Sequence, residues 1–312
     1  MRNATFRQLR VFSEVARHLS FARAAEVLHL TPPAVTMQVK ELEQHVGLPL
    51  FERNGRRVAL TTAGEYMLVP ARKILATLKD AEDTAARLQK LETGQLVIGM
   101  VSTAEYFLPY LLAEFRREHE AIEVKLAVGN REQLVRMLHA NEVDIAIMGR
   151  PPSELATRAE PFAAQPHVFV ARAGHPLAGA EALPVQALLR LDFIVRESGS
   201  GTRAAMEQFF AGSHAKPRVV MEMTSNETIK QAVMANMGVS FLSLHTLGLE
   251  LDAGRVALLD VQGAPVLRAW NVVHTLSKLL SPAAEAFRYF VLERGEAFLA
   301  EHFGRHVALG AQ

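Results

Sequence analysis

Apolar residues in the first part of the chain recur every three or four positions, and the rhythm changes abruptly near residue 94. Phe6, Leu9, Val11, Phe12, Val15 and Ala16 share one helical face between Thr5 and Arg17. Ser20 reads as the N-cap of a short helix from Phe21 to Leu28, in which Ala24 and Ala25 are small enough to admit a neighbouring helix. Thr31 caps the next helix. Pro32 falls at its first position, where a missing N–H costs nothing, and Pro33 is still in the first turn. That helix is expected to run to about His45, with Ala34, Val35, Val39, Leu42 and Val46 buried and Pro33, Thr36, Met37 and Lys40 on the opposite side. Gly47 ends it, Leu48, Leu50 and Phe51 return to the core, and Asn54-Gly55 predicts a type I′ hairpin. Val58 and Leu60 resume the alternation, and Thr61 or Thr62 caps the helix that follows.

That following helix has a different pattern. Met67, Ala71, Ile74, Leu78, Ala81, Ala85 and Leu88 alternate at spacings of four and three, a heptad seam, while Arg72, Lys73, Lys79, Asp80, Asp83 and Arg87 lie elsewhere on it. A narrow seam of this kind pairs with a second copy or packs on its own domain, and pairing is the expectation here. Thr93-Gly94 marks the end of the segment.

Beyond it, strands alternate with helices. Strands are expected at 95–100, 123–128, 143–148, 167–171, 192–195, 219–223, 239–242 and 267–274. Helices are expected at 131–140, 202–210, 227–236 and 282–303, and a mostly parallel sheet follows from that alternation. Pro151-Pro152 separates two similar sets, so the body reads as two α/β lobes with a cleft at the carboxyl ends of strands. Three polar segments are candidates for its lining: Ser102 and Thr103 at a helix start, the glycine-rich run Glu197, Ser198, Gly199, Ser200, Gly201, Thr202 and Arg203, and Asn226-Glu227 after the capping Ser225. Arg150, just after a strand, can add a second positive group. Backbone N–H groups at a helix start, with an arginine beside them, suit a phosphate or carboxylate.

Charge sharpens the contrast between the two parts. The 312-residue chain carries a net +1, yet residues 1–62 hold nine Lys/Arg against five acids, a net +4. A helix, a turn, a second helix and a hairpin bearing Arg53, Arg56 and Arg57 fit the major groove of duplex DNA and its phosphates. Ser20, Thr31, Pro33, Thr36, Met37, Gln38, Lys40, Arg53, Arg56 and Arg57 are the candidate DNA contacts. Two-fold pairing through the long helix suits inverted repeats. With no cysteine there is no disulfide or thiolate metal site, no apolar run is long enough to cross a bilayer, and the charged N-terminal helix is unlike a secretory signal, so a cytoplasmic location is expected. The scattered histidines show no ligand spacing. No phosphate-binding Gly-x-x-x-x-Gly-Lys loop, Gly-x-Ser-x-Gly elbow or His-Glu-x-x-His motif is present, so no catalytic residue, metal or cofactor is assigned.

The residues Ser20-Phe21, Ala24-Ala25, Leu28, Pro33-Ala34-Val35, Gln38-Val39, Leu42-Glu43, Gly47, Leu50-Phe51, Arg53 and Leu60-Thr61-x-Ala63-Gly64 resemble the LysR-type transcriptional regulators. That family has Gln where Pro32 stands and Ser where Thr36 stands. In the body, Ser102-Thr103, Tyr106-Phe107, 129–132, 148–152, 196–203, 225–235 and 242–251 are similar to its CbbR branch, which controls operons for Calvin-cycle carbon fixation. The resemblance implies a winged helix-turn-helix at 1–62, a linker and dimerisation helix at 63–92, and a two-lobed effector domain at 93–312 like the periplasmic binding proteins. Lobe I would span about 93–162 and 266–312, and lobe II about 163–265. It also implies a homodimer or homotetramer on double-stranded DNA, an activator acting through RNA polymerase, and a phosphorylated metabolite or NADPH as effector. A LysR-type regulator of another metabolic operon is the alternative. A solute-binding transport protein or an enzyme with a DNA-binding head are the readings from other classes.

Overall fold

The computed structural model describes residues 4–54, 57–88, 94–213 and 215–310. Contacts divide the chain into two compact units, the first made of residues 1–89 together with 140–142. The first unit begins with α1 (Phe6–His18), α2 (Phe21–Val27) and α3 (Pro32–Val46). Thr5 and Gln8 form a reciprocal capping box at the start of α1. Ser20 Oγ accepts from the Arg23 N–H, and Thr31 Oγ1 from the Ala34 N–H. Each cap satisfies a donor that a helix start leaves without an intrahelical partner. Phe12, Val15, Ala24, Ala25, Val35, Val39 and Leu42 close the core between these helices.

Gly47 takes the left-handed conformation at φ 80°, and its N–H bonds to the Glu43 carbonyl at 2.7 Å. Strands β1 (Phe51–Asn54) and β2 (Arg57–Leu60) pair antiparallel, with Asn54 opposite Arg57. The turn expected at Asn54-Gly55 falls on residues 55–56, which lie outside the described residues. Leu48 is exposed rather than in the core. The Glu43 carboxylate accepts from both the Leu50 and Phe51 N–H groups, which draws Leu50 inward and leaves Leu48 on the outside of the turn.

Helix α4 (Thr62–Leu88) starts at Thr61, whose hydroxyl accepts from the Gly64 N–H and donates to the Pro49 carbonyl. A Cβ on Gly64 would stand 2.1 Å from the Leu50 carbonyl oxygen, so only glycine lets the helix approach this closely. Met67 and Ala71, assigned above to a dimer seam, are buried in the core of the first unit. α4 packs there on α1, which consumes the first turns of its apolar face. Ile74 and Ala81 are exposed and Leu78 half-buried. The side chains of Ala85 and Leu88 lie outside the described residues.

The second unit contains β3 (Gly94–Val101), α5 (Leu108–Glu118), β4 (Ile122–Gly129), α6 (Arg131–His139), β5 (Ile145–Met148), β6 (Thr157–Arg172), α7 (Val185–Leu188), β7 (Asp192–Arg196), α8 (Gly201–Gly212), β8 (Arg218–Met223), α9 (Asn226–Met234), β9 (Ser240–Ser243), α10 (Gly248–Asp252), β10 (Val256–Leu259), β11 (Val266–Thr275) and α11 (Pro282–Gly310). One sheet runs β10-β6-β11-β5-β3-β4, with β9 also on β6, and β7-β8 form a separate pair. Among the described strands, β3 pairs parallel with β4 and β5 and β7 with β8, with isolated parallel bridges at Leu183–Val261 and Phe193–Val239, while the β6 and β11 pairings are antiparallel. The expectation of a mostly parallel sheet is thus corrected. β11 returns from far along the chain to lie between β5 and β6, and periodicity carries no information on strand direction.

β6 begins ten residues before the expected His167. Pro161 and Pro166 disguise it, but Pro161 sits opposite Asn271, where the register shifts and a ladder N–H is not required. β6 and β11 pair from Thr157–Thr275 to His167–Val266 and connect distinct cores. Phe162 and Trp270 belong to one, around Phe107, Phe115 and Phe287, while Phe169 belongs to another, around Phe193 and Phe210. A buried Lys278–Asp144 ion pair at 2.6 Å, with Asp144 also accepting from the Val97 N–H, ties the start of β5 to β3 and to the segment before α11.

Candidate functional site

Two sites emerge, one in each unit. In the first, α3 presents Pro32, Pro33, Thr36, Met37, Lys40, Glu41 and Gln44 along a shallow open groove. Of the expected DNA contacts, Pro33, Met37 and Lys40 are exposed there and Thr36 lies between them. Gln38 faces partly inward, its amide donating to Glu41, which also accepts from Gln8. The hydroxyls of Ser20 and Thr31 are engaged as helix caps. Arg56 and the side chains of Arg53 and Arg57 lie outside the described residues. Phe6, Pro70, Lys73, Ile74, Thr77, Leu78 and Ala81 line a second, apolar groove between the start of α1 and the exposed side of α4. Ile74, Leu78 and Ala81 are the seam residues that remain there.

In the second unit, a small cleft lies where several strands end. β3 delivers Ser102 and Thr103, β4 delivers Asn130 and Arg131, β5 delivers Gly149 and Arg150, β7 delivers Arg196, and the start of α8 delivers Ser200, Gly201 and Thr202. Gln165 and His167 of β6 and Arg268 of β11 complete the lining. Gly149 is a requirement of this packing: a Cβ there would meet the Gln165 side-chain oxygen at 2.0 Å.

The four guanidinium groups differ in how they are balanced. Arg131 makes a two-pronged pair with Glu154, both contacts 3.1 Å, and holds that carboxyl down at about 2. Buried Arg196 pairs with Glu197 at 2.8 and 3.1 Å and donates to Asn226 at 2.7 Å. Arg150 and Arg268 have no carboxylate partner among the described residues, and Arg268 donates to the Gly201 carbonyl. Burial lowers the affinity of Arg268 for its proton, and the neighbouring Arg150 and Arg131 lower it further. His167 is buried and pushed down to about 3, first by burial and then by Arg268, so it is neutral at pH 7. Its Nδ1 lies 3.3 Å from the Gln165 carbonyl, which only the Nδ1–H form can satisfy. Ser200 occupies the N-cap of α8 but makes no side-chain capping bond, leaving its hydroxyl and the first N–H groups of that helix for another acceptor. Positive charge, hydroxyl and N–H donors and a helix start together are chemistry that suits a small anion.

Ser102, Thr103, Arg150, Ser200, Gly201 and Thr202 line the cleft as expected, but six other candidates do not. Ser102 and Thr103 also open a three-residue 3-10 turn rather than an α-helix, so they bring hydroxyls and not a macrodipole. Arg203 points its donors at Glu207, Glu222 and the Arg196 carbonyl. Glu197 is the counterion of Arg196, and Ser198 is exposed. Gly199 provides a turn at φ 85°, against the Glu132 carboxylate. Asn226 holds Arg196 from behind. Glu227 accepts from the Tyr106 hydroxyl at 2.7 Å and from Lys230 at 2.6 Å. Burial and this bond push Tyr106 well above the usual phenol range. Sequence reasoning missed Arg131, Arg196, His167, Gln165 and Arg268. The first two carry a signal, an arginine at the carboxyl end of a strand. Arg268 lies inside β11 and carries none.

No helix among the described residues is long and apolar enough to cross a membrane, and no cluster of His, Asp or Glu there could hold a metal ion. Residues 6–65 match the bacterial regulatory helix-turn-helix protein model of the lysR family, and residues 89–296 match the LysR substrate binding domain. The chain is 50% identical to the HTH-type transcriptional regulator CfxR of Cupriavidus necator, over 97% of this chain and 96% of that protein. It is 48% identical to the RuBisCO operon transcriptional regulator of Allochromatium vinosum, over 93% and 96%. Among solved structures, the Synechocystis PCC6803 CcmR regulatory domain in complex with 2-PG is similar at 40% identity and a TM-score of 0.62, over 64% of this chain and 96% of that one. The two domain models together cover most of the chain, and the chain belongs to the LysR family of DNA-binding transcriptional regulators.

Proposed function

We propose that this regulator is a metabolite-responsive activator of a carbon-fixation (RuBisCO) operon. The names of its relatives support the operon, and the arginine cleft supports the metabolite. The observation that carries the proposal is the gathering of Arg131, Arg150 and Arg268 on one cleft, the last two with no carboxylate partner among the described residues. A small phosphorylated acid fits that demand: its phosphate meets Arg150, Arg268 and the free donors of Ser200 to Thr202, and a second oxygen group meets Ser102, Thr103 or Arg131. The modest cleft favours a compact anion over a dinucleotide such as NADPH.

In this reading the two cores bridged by β6 and β11 act as lobes of an effector domain, divided near residues 162 and 266. Lobe closure on the anion changes the presentation of paired heads, and it does so only to the extent that the anion binds the two states differently. The exposed Ile74, Leu78 and Ala81 side of α4 pairs two copies on an inverted repeat. Lys40 with the wing residues Arg53, Arg56 and Arg57 grips phosphate, and RNA polymerase and a further dimer–dimer assembly complete the working complex. The test is titration of the purified chain with 2-phosphoglycolate, glycolate and sulfate, read by thermal shift and calorimetry, alongside gel shifts on the host's RuBisCO-operon promoter. Stabilisation by the phosphorylated acid well beyond that by glycolate or sulfate is expected, with altered promoter binding. Equal response to all three, or no preference for the promoter over random duplex, overturns it.

A further inference from the structure

Along the exposed side of α3, the polar atoms nearest the middle are already engaged. Thr36 Oγ1 donates to the Pro32 carbonyl at 2.9 Å. Gln38 and Gln8 both donate to Glu41 Oε2, at 3.2 and 2.9 Å, which turns all three toward α1. Pro33 has no polar side-chain atom. Between them stands Met37, 54% exposed, the one exposed large apolar side chain on α3 among the described residues. It belongs to no core cluster of the first unit. Lys40 and Gln44 supply polar groups only toward the far end of the groove.

A groove-reading helix meets hydrogen-bonding edges almost everywhere. Guanine offers two acceptors that suit Arg or Lys, adenine offers an acceptor and a donor that suit Asn or Gln, and the one apolar feature of the major groove is the 5-methyl group of thymine. A methionine at the centre of the reading face can form neither bidentate pair, and its flexible, polarizable thioether adapts to a methyl surface. Resting on the assignment of α3 as the DNA-reading helix, we propose that Met37 is a specificity-determining residue that recognises the thymine 5-methyl group in each operator half-site. This recognition is an apolar contact, so it discriminates between bases without adding to the ionic attraction that Lys40 provides. Pro33 and Thr36 flank Met37 and leave no donor to reward a purine at the same place.

The experiment uses the full chain. Duplexes enriched from a random-sequence pool by binding to it are resynthesised with each thymine replaced in turn by uracil, which deletes that methyl group alone. Dissociation constants are read by fluorescence anisotropy at fixed salt. One position per half-site is expected to weaken about fourfold, the effect of one buried carbon group, with the other positions unchanged. Met37→Ala, at an exposed helical position that tolerates alanine, is expected to bind the thymine and uracil duplexes equally at that position. Uracil duplexes that all bind like the parent, or a Met37→Ala chain that still discriminates, overturn the proposal while leaving α3 as the reader. Failure to enrich any sequence overturns that assignment as well.

Discussion

Helix α3 and the arginine cleft both present positive charge, but they hold their cations differently. Lys40 stands exposed on α3, where water and salt screen it. Arg268 is half-buried, and Arg150 and Arg131 stand close enough to disturb it. An exposed cation adds a modest, salt-dependent increment for each phosphate met. Crowded guanidinium groups stay at odds until one ligand relieves several of them together. The head is thereby suited to graded attraction along a polyanion, and the cleft to an abrupt response to one small anion.

The largest effect that should expose this difference concerns stability. Asp144→Ala leaves Lys278 charged and buried without a partner, and is expected to cost about 3–5 kcal/mol in urea denaturation. Breaking the exposed Arg23–Glu26 pair of the head by Arg23→Ala should cost less than about 1 kcal/mol. Similar losses from the two changes would erase the distinction. Next comes Arg268→Met, which removes one of the opposed charges. The anion-induced thermal shift should vanish, with affinity down by about 2–3 kcal/mol, while the unliganded chain melts no lower than the parent. A variant that melts lower and still binds would show that Arg268 serves the fold instead.

Acid should act on the cleft side. His167 is held near 3 in the folded chain against an ordinary 6.5, so the unfolded chain takes up its proton first as pH falls. Its stabilising share is complete above pH 6.5 and is lost progressively down toward pH 3, roughly 2 kcal/mol by pH 5. His245, held at about 4 by burial, contributes in the same direction. Melting curves of His167→Gln should therefore fall less steeply between pH 7 and 5 than those of the parent, and an unchanged slope would remove His167 from the account. The smallest effect belongs to the head. Lys40→Ala should weaken operator binding a few-fold and reduce the slope of log affinity against log salt by about 1.

The two regions also differ in how openly the chain declares them. Ser20, Thr31, Gly47 and Thr61 each act on residues three or four places away, so capping chemistry marks ends of α2, α3 and α4, while α1 is legible from its apolar spacing. Leu48 misled because its orientation is decided by Glu43 reaching across the turn to Leu50 and Phe51. Met67 and Ala71 share a period with Ile74 and Leu78, and periodicity cannot say which partner covers which turn. In the body, short-range signals located most strands, while the antiparallel return of β11 and the long β6 depend on pairings a hundred residues apart. Arg203 and Arg196 look alike in the polar loop, and only Glu207 and Glu222 decide that the first turns away. Arg268 is adjacent to nothing in the chain that would mark it.

The contact of Gly64 with the Leu50 carbonyl governs how the head can move. With no Cβ to hold them apart, the root of α4 seats directly on the wing, and Met67 and Ala71 lock the next turns into the same core. The first turns of α4 therefore belong to the same core as α1 to α3. A tilt of that root would carry α3 with it, as a shank turns the bit of a key.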